Sequence, residues 1–253
     1  MKEWRARMGQ LAFPLLLAVA APLAVIVGIK YLRSVWWTFA IYQVGICLVA
    51  PAIESGLAER SWLQHATMLG LSGPRATDGS GVRDGSPSQL TLAIVLGLVT
   101  ALVTGVFLVL TRDRFLDPDR LESTLAGWGV SPGQMLTMLA VMAVLNAAAE
   151  ELFWRGYFPG RVAVGLPASR PPVALTVILP AFLYASYHAA TIGHLVREAS
   201  GVVVMTGGVL GAGVLWGWLR RRTGSVWPPL LSHGGAVLAY LAVHLWVTNA
   251  GGW

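Results

Sequence analysis

Glu150 and Glu151 are adjacent carboxylates at the end of an apolar run that begins at Met135 and is long enough to lie in a membrane. An ionisable side chain in such a run is costly unless it has a partner or a polar cavity, which marks the pair as a site. On a helix Glu151 and Arg155 stand one turn apart on one face, a geometry suited to an ion pair. Glu150 is rotated away from them by about 100°. One glutamate can therefore be neutralised by Arg155 while the other stays free for chemistry.

His188 and His233 lie in two further apolar runs, each flanked by apolar sequence. A carboxylate out of water is a stronger base than one in it and can deprotonate water near neutral pH. One histidine within reach can share that proton or orient the water. A second can donate a hydrogen bond to a developing oxyanion. Together these are the parts of a water-activating hydrolase. The same Glu150, His188 and His233 are also three ligands for a divalent metal such as zinc, with a fourth position open to water. No His-Glu-x-x-His is present to favour that choice, so the residues leave metal-bound and metal-free chemistry open. Tyr184, one turn before His188, either shapes the pocket or fills it. Taken singly, the glutamates with Arg155 also read as a charged cluster at a helix end, and each histidine as a packed or interfacial one.

The elements that must position these residues are membrane helices. Of 253 residues 55% are apolar and 12% charged, with mean hydropathy +0.64. Soluble chains carry about 25% charged residues, so a soluble globular domain is excluded. The sequence predicts an all-α, polytopic transmembrane bundle of seven spans: Leu11 to Gly28, Val35 to Ile53, Leu90 to Leu110, Met135 into the Glu150–Glu151 pair, Val173 to Gly193, Gly201 to Leu219 and Val226 to Val247. A short interfacial helix within Arg112 to Val130 would bring the count to eight. The first apolar run is too long for a signal peptide and reads as an uncleaved span. Residues 1–130 are expected to hold the N-terminal helices, with a flexible polar loop at 54–88 that leaves His65 in solvent. Residues 131–253 are expected to form the catalytic core of what is one integral membrane domain. Gly97, Ala101 and Gly105, and again Gly207 with Gly211 and Gly213 with Gly217, have the spacing of close helix contacts.

The net charge of +6 is spread over segments between apolar runs, so it reads as a topology signal and implies no nucleic acid partner. With the N-terminus in the cytoplasm, twelve Lys and Arg fall inside, Arg155 and Arg161 among them, against six outside. A basic cytoplasmic N-terminus fits a bacterial inner membrane, the reading preferred here, and equally an endoplasmic reticulum protein. Cys47 is the only cysteine, which rules out an intrachain disulfide and points to packing.

Three motifs in order resemble the CPBP intramembrane proteases, also called the ABI or type II CAAX prenyl endopeptidase family. Glu150, Glu151 and Arg155 match Glu-Glu-x-x-x-Arg; Tyr184 to His188 is similar to Phe-x-x-x-His with Tyr for Phe; His233 and its lead-in from Arg221 match the third. The resemblance covers about Gln134 to Leu241. It implies that Glu150 activates water with His188, that His233 stabilises the oxyanion, and that Glu151 and Arg155 support or tune the site. It also implies a glutamic-type mechanism with no cofactor, acting on the tail of a membrane-anchored or lipid-modified protein in the bilayer. One position departs. The family places Asn or Asp four residues after the third motif's His, and here that residue is Val237, which cannot donate to an oxyanion. Asn146, one turn before Glu150, could offer an amide instead. The alternatives from other classes are a non-catalytic scaffold or immunity-type protein of the same fold, and a transporter with Glu150 and His188 as a proton relay.

Overall fold

The structure is a computed structural model that describes residues 2–71, 87–115, 117–166 and 171–249. The described residues hold nine helices and no strand. We number them α1 (Lys2–Ile26, continuing through Val27–Tyr31), α2 (Val35–Leu57), α3 (Trp62–Leu69), α4 (Pro87–Phe115), α5 (Pro118–Gly127), α6 (Met135–Gly165), α7 (Ala174–Leu195), α8 (Ala199–Thr223) and α9 (Trp227–Asn249). Six of them, α1, α2, α4, α6, α7 and α8, are long and apolar enough to cross a membrane. The seventh expected span is also a helix, α9, of 23 residues. Large apolar side chains stand exposed along the outer face of α4 (Leu98, Leu102, Val103, Leu110), as lipid contact requires. The protein is an integral membrane helical bundle.

The fourth span is longer than the sequence reading allowed. It does not stop at the glutamates but runs for 31 residues to Gly165. Ala147 to Ala149 are strong helix formers, and Phe153, Trp154, Tyr157 and Phe158 bury completely on the far side of the pair. Arg155 and Arg161 are therefore not loop charges. Arg155 pairs with Glu151 and Arg161 with Glu54, at 2.9 and 2.7 Å, both buried, and neither counts towards orientation.

The expected loop at 54–88 is also corrected where it is described. Residues to Leu57 complete α2, and Ser61 with Gln64 forms a capping box that starts α3. His65 is buried, with Nδ1 2.5 Å from the Ser55 hydroxyl. Residues 72–86 of that loop lie outside the described residues. The helix expected within Arg112 to Val130 is α5, capped by Asp117 with Pro118 in its first turn, and its Leu121 and Leu125 join the core. Cys47 is buried and free.

Helix α4 lies against α9 so closely that a side chain on Gly235 would meet the Gly97 carbonyl oxygen at 2.2 Å. The Gly97–Ala101–Gly105 stripe is this contact, with Gly105 reaching Ala239. Gly213 and Gly217 likewise admit Ala181 and Val177 of α7, whereas Gly207 and Gly211 face open space. Between α4 and α9 runs an apolar groove of about 650 Å³, lined by Ala101, Gly105, Leu238 and Ala239 among others; no site residue lines it.

Candidate active site

The glutamate pair sits on one regular turn, Ala147–Glu151, between two wide turns with i→i+5 geometry at Met142–Asn146 and Leu152–Tyr157. Such π segments often accompany functional sites, because they re-aim the side chains between them. Farther along the same helix, Pro159 has no N–H to return to the carbonyl of Arg155. Arg220 of α8 supplies the missing donor, its Nε 3.1 Å from that oxygen, and its Nη2 reaches the Met68 carbonyl at 3.2 Å. A similar effect operates in α7. Pro180 cannot donate to Thr176, and the helix runs through a wide turn at Ala174–Ile178 just before it.

Within the bundle Glu150, Glu151 and Arg155 are 2, 0 and 1% exposed, which rules out a cluster at a headgroup surface. Arg155 Nη1 donates to Glu151 Oε1 at 2.9 Å, and its guanidinium lies over the rings of Tyr184 (4.6 Å) and Trp216 (5.1 Å). The same Glu151 oxygen accepts from His233 Nδ1 at 3.0 Å. A carboxylate can only accept, so the Nδ1 proton is assigned and Nε2 becomes the working nitrogen of His233. Trp216 stacks on the His233 ring, centroids 4.6 Å apart, and its Nε1 donates to the Ser232 hydroxyl next door.

His233 Nε2 faces two groups. The Tyr184 hydroxyl is 3.3 Å away, and Glu150 Oε2 is 3.9 Å away. Glu150 Oε1 accepts from the Tyr187 hydroxyl at 2.9 Å, while Oε2 is buried with no protein hydrogen bond. At 3.9 Å, Oε2 and Nε2 are too far apart to bond directly and close enough for one water to touch both.

His188 joins through its neighbours. Its Nδ1 donates to the Tyr184 carbonyl at 2.9 Å, and its ring lies 4.4 and 4.5 Å from those of Tyr184 and Tyr187. No hydrogen bond ties it to Glu150 among the described contacts. Asn146 is engaged elsewhere. Its amide oxygen accepts from Gln43 of α2 at 2.5 Å, which leaves the NH2 end as its donor. Val237 is half-buried.

The set that could have held zinc is not assembled as one. Among the described residues no three His, Cys, Asp or Glu side chains converge on a metal position. His188 and His233 each spend Nδ1 on a protein acceptor, the Tyr184 carbonyl and Glu151, and keep Nε2 free.

Several functional neighbours were missed in the sequence. Tyr187 stands beside His188, and its place in Tyr-Ala-Ser-Tyr-His was a usable signal. Tyr42, Gln43, Trp154 and Trp216 carried none, because each reaches the site by packing of distant helices.

Fold and site together define an integral membrane protein whose buried polar centre is built from a glutamate pair, an arginine, two histidines and two tyrosines. Residues 132–239 match the family described as type II CAAX prenyl endopeptidase Rce1-like. The resemblance drawn from the three motifs is borne out, for all of them fall inside the match. Neither the curated proteins nor the solved structures contain a match to this chain.

Proposed function

We propose that this protein is an intramembrane endopeptidase that cuts a peptide bond near the C-terminal tail of a membrane-anchored or lipid-modified protein. The observation that carries the reading is Glu150 Oε2: a fully buried carboxylate oxygen with no protein partner, facing His233 Nε2 and backed by an Rce1-like match. In this reading Oε2 takes a proton from a substrate water. With Nδ1–H held by a carbonyl, His188 offers Nε2 as an acceptor that orients the same water. The hydroxide adds to the scissile carbonyl, and Glu150 then returns the proton to the leaving nitrogen. Glu151 and Arg155 fix the His233 ring.

In the same reading the Tyr184 hydroxyl, 3.3 Å from His233 Nε2, donates to the oxygen of the tetrahedral intermediate, and His233 joins it as a donor in the form that carries a proton on Nε2 as well as on Nδ1. The hydroxyl at position 184 offers what Val237 lacks, and it is better placed than Asn146, whose amide is held by Gln43. The steps proposed use this chain's own side chains. The membrane we assign is a bacterial inner membrane with the N-terminus in the cytoplasm.

The reading is tested on the full chain in liposomes against membrane-anchored and prenylated C-terminal peptides, with and without a chelator. Cleavage that survives the chelator is expected. Cleavage abolished by the chelator overturns the metal-free chemistry, and a folded protein that cleaves none of the panel counts for the scaffold.

A further inference from the structure

The mechanism uses one oxygen of Glu150 and leaves open what holds the other. Behind Oε1 stands a chain of fully buried hydroxyls. Tyr187 on α7 donates to Oε1 at 2.9 Å. The Tyr187 oxygen is 2.6 Å from that of Tyr42 on α2, and Trp154 Nε1 on α6 donates to Tyr42 at 2.9 Å. Directions follow from the ends. The carboxylate can only accept, so the Tyr187 proton is spent on Glu150, and Tyr42 must donate to Tyr187. The indole can only donate, so it closes the chain. Every proton therefore points towards the carboxylate, and each bond polarises the next. The rings are locked as well as the hydroxyls: Tyr42 meets Tyr187 edge-on at 5.2 Å, and Tyr187 meets Tyr184 edge-on at 5.6 Å.

We propose that Tyr187 and Tyr42 are positioning residues that hold Glu150 by Oε1 and so turn Oε2, the unpartnered oxygen, towards His233. A buried carboxylate without them could rotate and offer either oxygen to either side, and the water would lose its fixed base. Tyr42 lies outside the segment that matches the family. Helix α2 is thus part of the site and not only its packing, and Gln43, the next residue, holds Asn146 of the catalytic helix from the same turn. This proposal rests on the protease reading for its kinetic consequence but not for its geometry.

Two readouts on the full chain in liposomes test it. The first is the infrared carboxyl signal of Glu150, assigned by its disappearance in Glu150→Gln. It is expected to shift in Tyr187→Phe and, by less, in Tyr42→Phe. The second is cleavage of a fluorogenic membrane-anchored peptide. Hydrogen bonds to charged groups carry about ten- to a hundredfold in rate, so Tyr187→Phe should lower kcat by roughly that factor. KM should stay within about twofold, since Tyr187 is buried and its hydroxyl is spent on Glu150 Oε1. Tyr42→Phe should cost roughly threefold to tenfold, and the double variant should be no slower than Tyr187→Phe alone. An unshifted signal in both single variants, losses that fall on KM, or fully additive losses would overturn the proposal. A wild-type protein that cleaves nothing while the signal still shifts would take down the protease reading and leave the hydroxyl chain standing.

Discussion

Glu151 illustrates how one residue type serves two purposes one position apart. Its Oε1 receives both Arg155 and His233, so the charge is matched inside the bundle and the imidazole is oriented at the same time. Glu150 has no cation bonded to it and faces a histidine it does not touch. The sequence showed this division, because i,i+4 spacing assigns Arg155 to Glu151. It could not show that His233 belongs to Glu151 as well, since the two are 82 residues apart. Nor could it show that Asn146 would be captured by Gln43. Removing Arg155 leaves Glu151 buried without its cation and with only the His233 bond, and breaking a buried pair in this way typically costs about 3–5 kcal/mol. Arg155→Met is therefore expected to lower stability by that order and to free the His233 ring. Unfolding in mixed micelles measures the first. The NMR shift of the His233 Nδ1 proton follows the second, and an unchanged shift would show that Glu151 orients the ring unaided.

At the scale of elements, most of the helices were legible because apolar length and glycine spacing are local properties. The Gly97 stripe is the clearest case, since its partner proves to be Gly235 on α9. Gly235→Leu would drive a side chain into the Gly97 carbonyl. It is expected to separate α4 from α9 and to break the contact between the Thr100 and Ser232 hydroxyls, now 2.7 Å apart. Cross-linking of cysteines placed on the two helices should then fall; cross-linking at wild-type efficiency would contradict the packing.

What stayed hidden in the elements was hidden for physical reasons. The helix through Glu150 continues past the charges because buried aromatics and internal ion pairs offset them, and neither is visible in hydropathy. Helix α3 was mistaken for loop because its polar residues are spent on a capping box and on a Ser55–His65 bond. Burial, reinforced by Arg60 and opposed by Glu54, holds the His65 pKa below its ordinary value of 6.5. A depressed pKa means that the unfolded chain binds the proton first, so α3 loses stability as pH falls below about 6.5. Amide exchange across Trp62–Leu69 should therefore quicken as pH drops from neutral, after correction for intrinsic rates. In His65→Gln the pH dependence should flatten; a dependence that persists would assign it to another group.

Taken as a molecule, the chain places its polar centre where three parts of the sequence cross: α2 from the N-terminal half, α6 with the glutamates, and α7 to α9 with the tyrosines and histidines. The family match covers only the last two parts, and the hydrogen bonds of Tyr42 and Gln43 bring the first to the same centre. Arg155 and Arg161 serve the interior, in pairs with Glu151 and Glu54, and drop out of the charge balance. The central claim is that Glu150 is the base that activates water. Its most direct test is the turnover of a membrane-anchored peptide by wild type and by Glu150→Gln, both in liposomes and both shown to be folded. Gln keeps the shape and the bond from Tyr187 while removing the base. The account predicts a loss of kcat of at least roughly a hundredfold with little change in KM. Turnover by Glu150→Gln within a few-fold of wild type would contradict it.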